Sequence, residues 1–361
     1  MALQDAVYTL AHTAARGNLI QLYDLPRNAS WEDIKKHRAA RTYDDLCRLC
    51  FRKAKIQCIL IDDGLGGVKE MAEGYQWHDR YMHSPTRRIV RVEVVAQDTI
   101  MEILGTGGVW RPVPLLTSFS GTLRERLVES AKDPNVAGFK SVVCYRTGLD
   151  VSAVADPAAE AAALFSIYHQ HPQSGIPPLR LADKPLNDLI VRTTLEVAAE
   201  HNKPVQFHTG LGDADITLTR ASPAHLQPLI AANPRTTFVL LHASYPYMRE
   251  GGYLTAMYEN VYFDIGEVFP AVSRGGQEAL IRQVLELAPT NKIMWSSDGH
   301  WWPETYYLGS LQARRALSSV LQVAVKANEL REEEAARVAK DILFHTANRV
   351  YHLELEPHFP H

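Results

Sequence analysis

Three residues that commonly bind metals stand at the ends of three apolar segments that lie far apart in the chain. His208 is the last residue of PVQFH, His242 of TFVLLH and Asp298 of KIMWSSD. Imidazole and carboxylate groups are the ligands that zinc, manganese and iron take in proteins. If the segments are parallel strands, their carboxyl ends meet at one edge. The sequence therefore predicts that His208, His242 and Asp298 surround one divalent metal.

Such a metal lowers the pKa of a water towards neutrality and polarises a substrate carbonyl. A neighbouring carboxylate or imidazole then carries the proton. We expect Asp298 to act both as ligand and as catalytic base, and His242 to act as ligand or to stabilise an oxyanion. A single histidine of this kind is more often a buried core residue, but three strand ends together favour a shared site.

Further candidates for substrate binding lie at other strand ends. Lys140 and Arg146 fall on alternating positions of a predicted strand 136–146, which would put them on one face. Lys140 could be carboxylated to bridge two metals or could bind a carboxylate, and Arg146 could clamp a carboxylate with two hydrogen bonds. Both residues also fit ion pairs at the rim. Asp62 could bind polar substrate groups or cap the following turn.

Aromatic and acidic residues extend this candidate pocket. His300 and Trp301 follow the third predicted ligand and would wall the pocket, unless they pack on the surface. Glu93, Asp264 and Glu267 are further acidic residues near strand ends, without an assigned role.

Short apolar runs that end in turn residues position these side chains and predict seven strands. They are 56–61, 89–95, 136–146, 204–208, 237–242, 261–265 and 292–298. Helical patterns alternate with them, at 123–132, 186–201, 223–232, 277–288 and 308–327, with a closing helix at 332–351. The alternation indicates βαβ units and a parallel sheet.

The predicted fold is α/β, a TIM-barrel-like (β/α)₈ structure that lacks or modifies its first βα unit. A closed barrel has eight strands, whereas seven are predicted. Either a strand is hidden among the first 55 residues or the chain starts after the first unit, and we favour the second reading. We expect one domain over 1–361, with helices in 1–55, the strands in 56–300 and closing helices in 301–361. Residues 150–185 read as an extended connection.

Several motifs together carry a family resemblance. They are LIDDGL at 60–65, GFKS at 138–141, YRTGL at 145–149, QFHTGLGD at 206–213, LLHASYP at 240–246, WSSD at 295–298 and DILFHTANRVY at 341–351. The sequence resembles the amidohydrolase-related (amidohydrolase type 2) family, and within it the amidohydrolase-like N-terminal domain of FluG and nodulin/glutamine-synthetase fusion proteins. The resemblance covers nearly the whole chain.

That resemblance implies a TIM barrel and a divalent metal, usually zinc, with Mn²⁺ as the alternative. It implies hydrolysis at carbon–nitrogen bonds, although some members are decarboxylases or lyases. By the same resemblance, His208 and Asp298 match metal ligands, and His242 matches the next histidine site, which is often catalytic.

Two departures from the family pattern bear on activity. The family's first strand carries two ligands in an H-x-H motif, and the only H-x-H here is at 169–171, in the predicted connection. The glutamine-synthetase half is also absent. Losing two ligands should weaken metal binding. The N-terminal segment or a partner chain would then complete the site, or the protein would be a truncated product or a non-catalytic relative.

Composition and charge bear on the possible partners and the location of the protein. The net charge is −3 and 22% of residues are charged, which gives no bulk attraction to nucleic acid or anionic membranes. We find no signal peptide and no apolar run long enough to span a bilayer, so we expect a cytoplasmic protein. Cys47 and Cys50 have C-x-x-C spacing, which could indicate zinc binding or redox chemistry. We favour the alternative that both are packed core residues. A homodimer is a further expectation.

The leading hypothesis is a metal-dependent hydrolase that acts on a small amide, lactone or carboxylated substrate through a metal-activated water. One alternative is a catalytically impaired barrel with a regulatory or metabolite-binding role. Another is a metal-dependent decarboxylase or lyase, because a fold does not fix its reaction.

Overall fold

Seven parallel strands pair in the order of the sequence and form one curled sheet. The computed structural model describes residues 3–64, 73–106, 108–170 and 179–358. The strands are β1 (Leu60–Asp62), β2 (Arg87–Arg91), β3 (Val136–Ser141), β4 (Val205–Phe207), β5 (Phe238–Leu240), β6 (Val261–Asp264) and β7 (Ile293–Met294). All six neighbouring pairs are parallel. The predicted α/β class is confirmed.

The sheet is a half-barrel rather than a closed ring. In the described part of the chain, β1 pairs with β2 alone and β7 with β6 alone. Seven strands with two free edges agree with the predicted barrel that lacks one unit.

Helices surround this sheet, most of them on its outer face, while the short helix at 346–350 lies against its interior. They are α1 (Leu3–Ala6), α2 (Leu10–Leu22), α3 (Trp31–Ala39), α4 (Tyr43–Ala54), α5 (Val92–Gly105), α6 (Pro112–Lys132), α7 (Pro157–Gln170), α8 (Lys184–Glu200), α9 (Gln227–Ala232), α10 (Met248–Met257), α11 (Val268–Ala271), α12 (Arg274–Leu285), α13 (Pro303–Lys326), α14 (Glu332–Lys340) and α15 (Thr346–Val350). Among the described residues, none of these helices combines the length and apolarity needed to cross a bilayer.

Strand side chains alternate between two cores, as the two-residue period requires. Phe139, Phe207 and Phe263 point outwards and pack with the helices in the main core. Val239 and Met294 belong to a separate inner cluster, which the chain closes with residues after α14, including Val350 and Tyr351. Gln206 on β4 donates a 2.8 Å hydrogen bond to the Tyr351 hydroxyl. The C-terminal segment therefore fills the interior of the half-barrel.

The N-terminal helices follow their capping residues and pack on α13. Ser30 and Asp33 form a capping box at the start of α3, and Thr42 caps α4. The carboxylate of Glu304 in α13 accepts hydrogen bonds from Tyr23 and Arg38, each 2.6 Å long. These charge-assisted hydrogen bonds hold the N-terminal helices against α13.

All seven predicted strands are longer than the observed ones, in proportion most of all the seventh, because only Ile293–Met294 of the predicted 292–298 is strand. The errors in the second and third strands have physical causes. Residues 92–95 were expected to continue the second strand but form the first turn of α5. The buried residues Val92, Ala96, Ile100 and Ile103 repeat every three or four positions, so the helical period prevails over a short apolar run.

The third strand also ends early, which separates two candidate residues. β3 ends at Ser141 and a 3₁₀ turn, Val143–Tyr145, follows it. Lys140 therefore lies in the strand and Arg146 beyond the turn, and the prediction that they share a strand face is wrong. The turn is made of apolar residues, VVCY at 142–145, so the hydrophobic pattern did not indicate it.

The predicted extended connection 150–185 contains α7, because its alanine-rich stretch has high helix propensity. His169 of the H-x-H motif lies in the last turn of α7. His171, the second histidine of that motif, lies outside the described residues.

Candidate metal centre

Two histidines and a glutamate meet at the carboxyl ends of three neighbouring strands. His208 follows β4, His242 follows β5 and Glu267 follows β6. One ligand atom of each lies within 4.8 Å of the others. The imidazole centroids of the two histidines are 4.3 Å apart, and His242 Nδ1 lies 3.1 Å from Glu267 Oε2. The structure thus brings His208 and His242 together, as expected, and adds Glu267.

A backbone carbonyl fixes the orientation of His208. Its Nε2 donates a 2.7 Å hydrogen bond to the Leu211 carbonyl oxygen. Because neutral imidazole has one proton, this bond leaves the Nδ1 lone pair free to bind a metal. The ring of Tyr145 packs against the imidazole at 4.4 Å.

His242 sits in a turn of unusual backbone conformation. His242, Ala243 and Ser244 have φ angles of 64°, 51° and 49°, a left-handed region that costs free energy in residues other than glycine. Thr209 holds this turn in place. Its hydroxyl donates a 2.6 Å bond to the Leu241 carbonyl and lies 2.8 Å from the Ser244 hydroxyl. The H-T-G and H-A-S motifs are therefore bonded to each other.

Gly210 lets the two motifs approach. Its φ is 67°, and a Cβ at this position would lie 2.3 Å from the Tyr245 carbonyl oxygen and 2.5 Å from the Ser244 carbonyl carbon. Both contacts are with backbone, which has little room to move. Only glycine therefore fits this position.

The buried polar atoms of this cluster fit a cation. His242 Nδ1 and Nε2 and Glu267 Oε2 are buried, and none of them makes a hydrogen bond among the described residues. Nδ1 and Oε2 approach to 3.1 Å, but not in the alignment of a hydrogen bond. Burial, and then the charge of Lys140, lower the pKa of His242 well below its usual value, so its imidazole is neutral. Buried polar atoms without partners are costly. Two neutral imidazoles and a carboxylate suit Zn²⁺ or another divalent ion, which would satisfy them together.

Carboxylates surround this cluster. Burial, followed by the charge of Asp298, raises the pKa of Glu267 to about 8. Burial also raises the pKa of Asp264 to about 7, although Asp264 accepts bonds from Ser296 Oγ and Gly266 N. A divalent cation would favour the charged form of these acids, because opposite charge stabilises a carboxylate.

Asp298 lies beside the cluster rather than in the set of three. It follows β7 with a left-handed φ of 47°. Its charge acts on His208, Asp264 and Glu267, so its carboxylate is near all three. Its roles as ligand and base stay predictions.

Lys140 and Asp62 form a buried ion pair at the same rim. Lys140 Nζ lies 3.2 Å from Asp62 Oδ2, and Arg91 Nη2 lies 2.5 Å from that oxygen. Burial raises the pKa of Asp62, but Lys140 and then Arg91 outweigh it and hold the value at about 2. Lys140 and Asp62 are thus ion-pair partners at the rim, which was one of the three interpretations of Lys140.

The other candidates lie further out. His300 is exposed, and its Nδ1 donates a 2.9 Å bond to the Asp298 carbonyl. Trp301 is 54% exposed, so it stands at the surface rather than in a closed wall. Cys47 and Cys50 are buried in α4, and burial raises the pKa of Cys47 to about 11. These thiols are packed core groups.

Comparison with known proteins identifies the family of this chain. The amidohydrolase family model matches residues 101–353. The protein fluG of Emericella nidulans is 42% identical over 376 aligned residues, which cover 99% of this chain. The chain spans 42% of that relative's length.

Two crystal structures share the fold. A protein from Lactobacillus casei ATCC 334, described as a metal-dependent hydrolase, superposes with a TM-score of 0.82 and 24% identity, covering 98% of this chain and 86% of that one. A uronate isomerase from Bacillus halodurans C-125 gives a TM-score of 0.65 at 15% identity, covering 95% of this chain and 76% of that one. At these identities the likeness extends to the fold alone.

Replacing Gly210 with alanine should damage both stability and the histidine geometry. We expect Gly210→Ala to lower the free energy of unfolding by about 1–3 kcal/mol, because its Cβ meets backbone in a left-handed conformation. Gly17→Ala is the matched control, since that glycine lies within α2 and nothing lies within 4 Å of an added Cβ. Urea unfolding measures both. Equal stability of the two variants would contradict the argument.

Asp62 should make the protein acid-labile in a defined window. Its folded pKa of about 2 lies below the ordinary 3.8, so its stabilisation is present above pH 4 and lost as the pH falls through 2. The contribution is about 2 kcal/mol. Asp62→Asn should therefore be less stable at neutral pH and show a flatter acid limb, whereas Asp63→Asn, which removes a more exposed pair with Arg88, should change little. Parallel pH–stability curves for wild type and Asp62→Asn would refute this.

Proposed function

The chain belongs to the amidohydrolase family, and from this premise we propose that it is a metal-dependent hydrolase of a small amide, lactone or carboxylated substrate. The observation that carries the proposal is the buried His208–His242–Glu267 cluster, in which both His242 nitrogens and Glu267 Oε2 make no hydrogen bond among the described residues. Structural sites for zinc are usually closed by four protein ligands, whereas catalytic sites keep a position open. Three protein ligands suit the second kind.

We assign His208, His242 and Glu267 as the residues that would hold the metal, with zinc first and manganese as the alternative. When bound, a divalent ion supplies Lewis acidity to a substrate carbonyl and lowers the pKa of a water. His208 contributes Nδ1, because its Nε2 proton is committed to the Leu211 carbonyl. That bond fixes the tautomer and the direction of the ring.

Asp298 is the proton carrier of this proposal. It lies beside the three ligands, where its carboxylate can accept a proton from the attacking water and pass it to the leaving group. The Asp298 carbonyl accepts a bond from His300, which helps to hold the left-handed loop. Lys140, whose charge already acts on both histidines, would stabilise negative charge that develops on the substrate.

A second candidate is a metabolite-binding protein without catalysis. It is favoured by the half-barrel, because no strand in the described part of the chain pairs with the outer edges of β1 and β7. The two H-x-H ligands of the family's first strand are then missing, which should weaken metal binding. Decarboxylation or lyase chemistry on the same residues is a third reading, since similar sites serve different reactions.

Metal content separates these readings. Purified protein should hold about one zinc or manganese per chain, as a single three-ligand site requires. His208→Ala and Glu267→Gln should lose the metal on dialysis because each removes a ligand. His225→Ala replaces an exposed histidine and should keep it. Elemental analysis measures all four proteins. Wild-type protein that stays metal-free after reconstitution would overturn the proposal in favour of the binding protein.

Asp298→Asn tests the division of labour. It should retain metal but reduce turnover of a hydrolysable amide or lactone by about 10²–10⁴-fold, the usual contribution of a proton-transfer group. Loss of metal comparable to that in Glu267→Gln would instead make Asp298 a ligand. Release of carbon dioxide from a carboxylated aromatic compound would favour the decarboxylase.

A further inference from the structure

Arg146 is a half-buried cation that forms no ion pair with any residue in the described part of the chain. Its Nε is buried and has no hydrogen-bond acceptor among the residues that the structure describes. The described ion pairs around it join Arg91 and Lys140 to Asp62, and Arg180 to Asp215. None of them includes Arg146. A guanidinium that is desolvated without compensation is costly, and proteins seldom keep one without a use.

The neighbouring charges make the position of Arg146 still less favourable. Burial lowers the pKa of Arg146, and the positive charge of Arg180 lowers it further, with a smaller contribution from Arg91. Both arginines are thus close enough to repel it. Asp215 opposes this effect only weakly, because it is already paired with Arg180 at 2.6 Å.

Glu93 does not neutralise this group. Its Oε1 accepts bonds from Ser141 Oγ at 2.7 Å and from Val142 N at 2.9 Å. Its Oε2 is buried without a partner among the described residues. Burial raises the pKa of Glu93, and the charge of Glu93 offsets only part of the effect of burial and Arg180 on Arg146. Two unsatisfied polar groups, a guanidinium and a carboxyl oxygen, therefore lie in one region.

Two chains of contacts join this region to the metal centre. Arg180 donates a 3.0 Å bond to the Tyr145 carbonyl, and the Tyr145 ring packs on His208. On the other side, Arg91 shares Asp62 with Lys140, whose charge acts on His208 and His242. Arg146 thus belongs to the same rim as the metal ligands.

We propose that Arg146, with Arg180 beside it, forms a subsite for a single carboxylate group of the substrate. The guanidinium has the planar fork that binds a carboxylate through two parallel hydrogen bonds. Arg91, Lys140 and Arg180 already have carboxylate partners, and Arg146 has none among the described residues. A ligand with a single negative charge would balance Arg146, which favours a carboxylate over a phosphate dianion. The use of the subsite in catalysis rests on the proposed hydrolase function, whereas anion binding there does not.

Propionate is the probe, with propionamide as its uncharged match and inorganic phosphate as a competing anion. Binding to the full chain is measured by saturation-transfer NMR, before and after removal of metal by a chelator. Propionate should bind in both conditions and propionamide in neither. Arg146→Met should weaken propionate by about tenfold to hundredfold, the worth of a charge-assisted bidentate pair. Arg146→Lys should retain part of the affinity, since it keeps charge without the fork.

Arg124→Met is the control, because Arg124 is an exposed arginine that already pairs with Glu200. It should leave propionate binding unchanged. Propionate binding that survives in Arg146→Met but disappears with the chelator would mean direct coordination by metal. That result would overturn the subsite and leave the hydrolase proposal standing. Phosphate binding tighter than propionate would overturn the assignment to a carboxylate.

A second readout does not depend on choosing the right ligand. Arg146→Met should raise the melting temperature of the ligand-free protein, because it removes an unpaired cation that Arg180 and Arg91 repel. Propionate should raise the melting temperature of wild type and not that of the variant. A fall in melting temperature for ligand-free Arg146→Met would show that Arg146 has a structural partner, and the proposal would be wrong.

Discussion

Parallel pairing in sequence order is the constraint on which this structure depends. Because every strand runs in one direction, the residue after each strand reaches the same rim, however distant it is in the chain. β4, β5 and β6 are neighbours, so His208, His242 and Glu267 become neighbours too. The outer helical core and the inner cluster with Tyr351 fix the strands, and the strands in turn fix the site.

Desolvation gives this rim its chemical character. Burial lowers the pKa of His242 and raises that of Glu267. The His242 imidazole is therefore neutral, and a bound cation would favour the ionised form of Glu267. Close backbone packing at Gly210 and the left-handed turn at His242 store strain that the surrounding contacts must offset. Arg146 lies at the same rim, and its buried Nε has no hydrogen-bond partner among the described residues. The rim would therefore bind an anion at Arg146 as well as a metal at the histidines.

Much of this was predictable from sequence and some was not. Apolar strand runs that alternate with helical patterns are local signals, and they predicted the parallel sheet. Helices were also expected within residues 1–55, where the structure has α1 to α4. His208 and His242 were found because strand ends converge. Glu267 lies in a loop where its backbone φ is 57°, and its contact with His242 arises only when β5 and β6 pair. Its place near a strand end made Glu267 a candidate without a role, but no local pattern indicated its contact with His242, nor the turn that carries Arg146 out of β3.

The central claim is that two histidines and an oxygen ligand bind the metal. X-ray absorption at the zinc edge of the reconstituted protein tests it most directly. The account predicts two imidazole nitrogens at about 2.0–2.1 Å with oxygen in the remaining positions and no sulfur. In Glu267→Gln, which weakens the site, the spectrum should lose ordered zinc. A sulfur shell near 2.3 Å would place the metal at cysteines such as Cys47 and Cys50 instead and contradict the account.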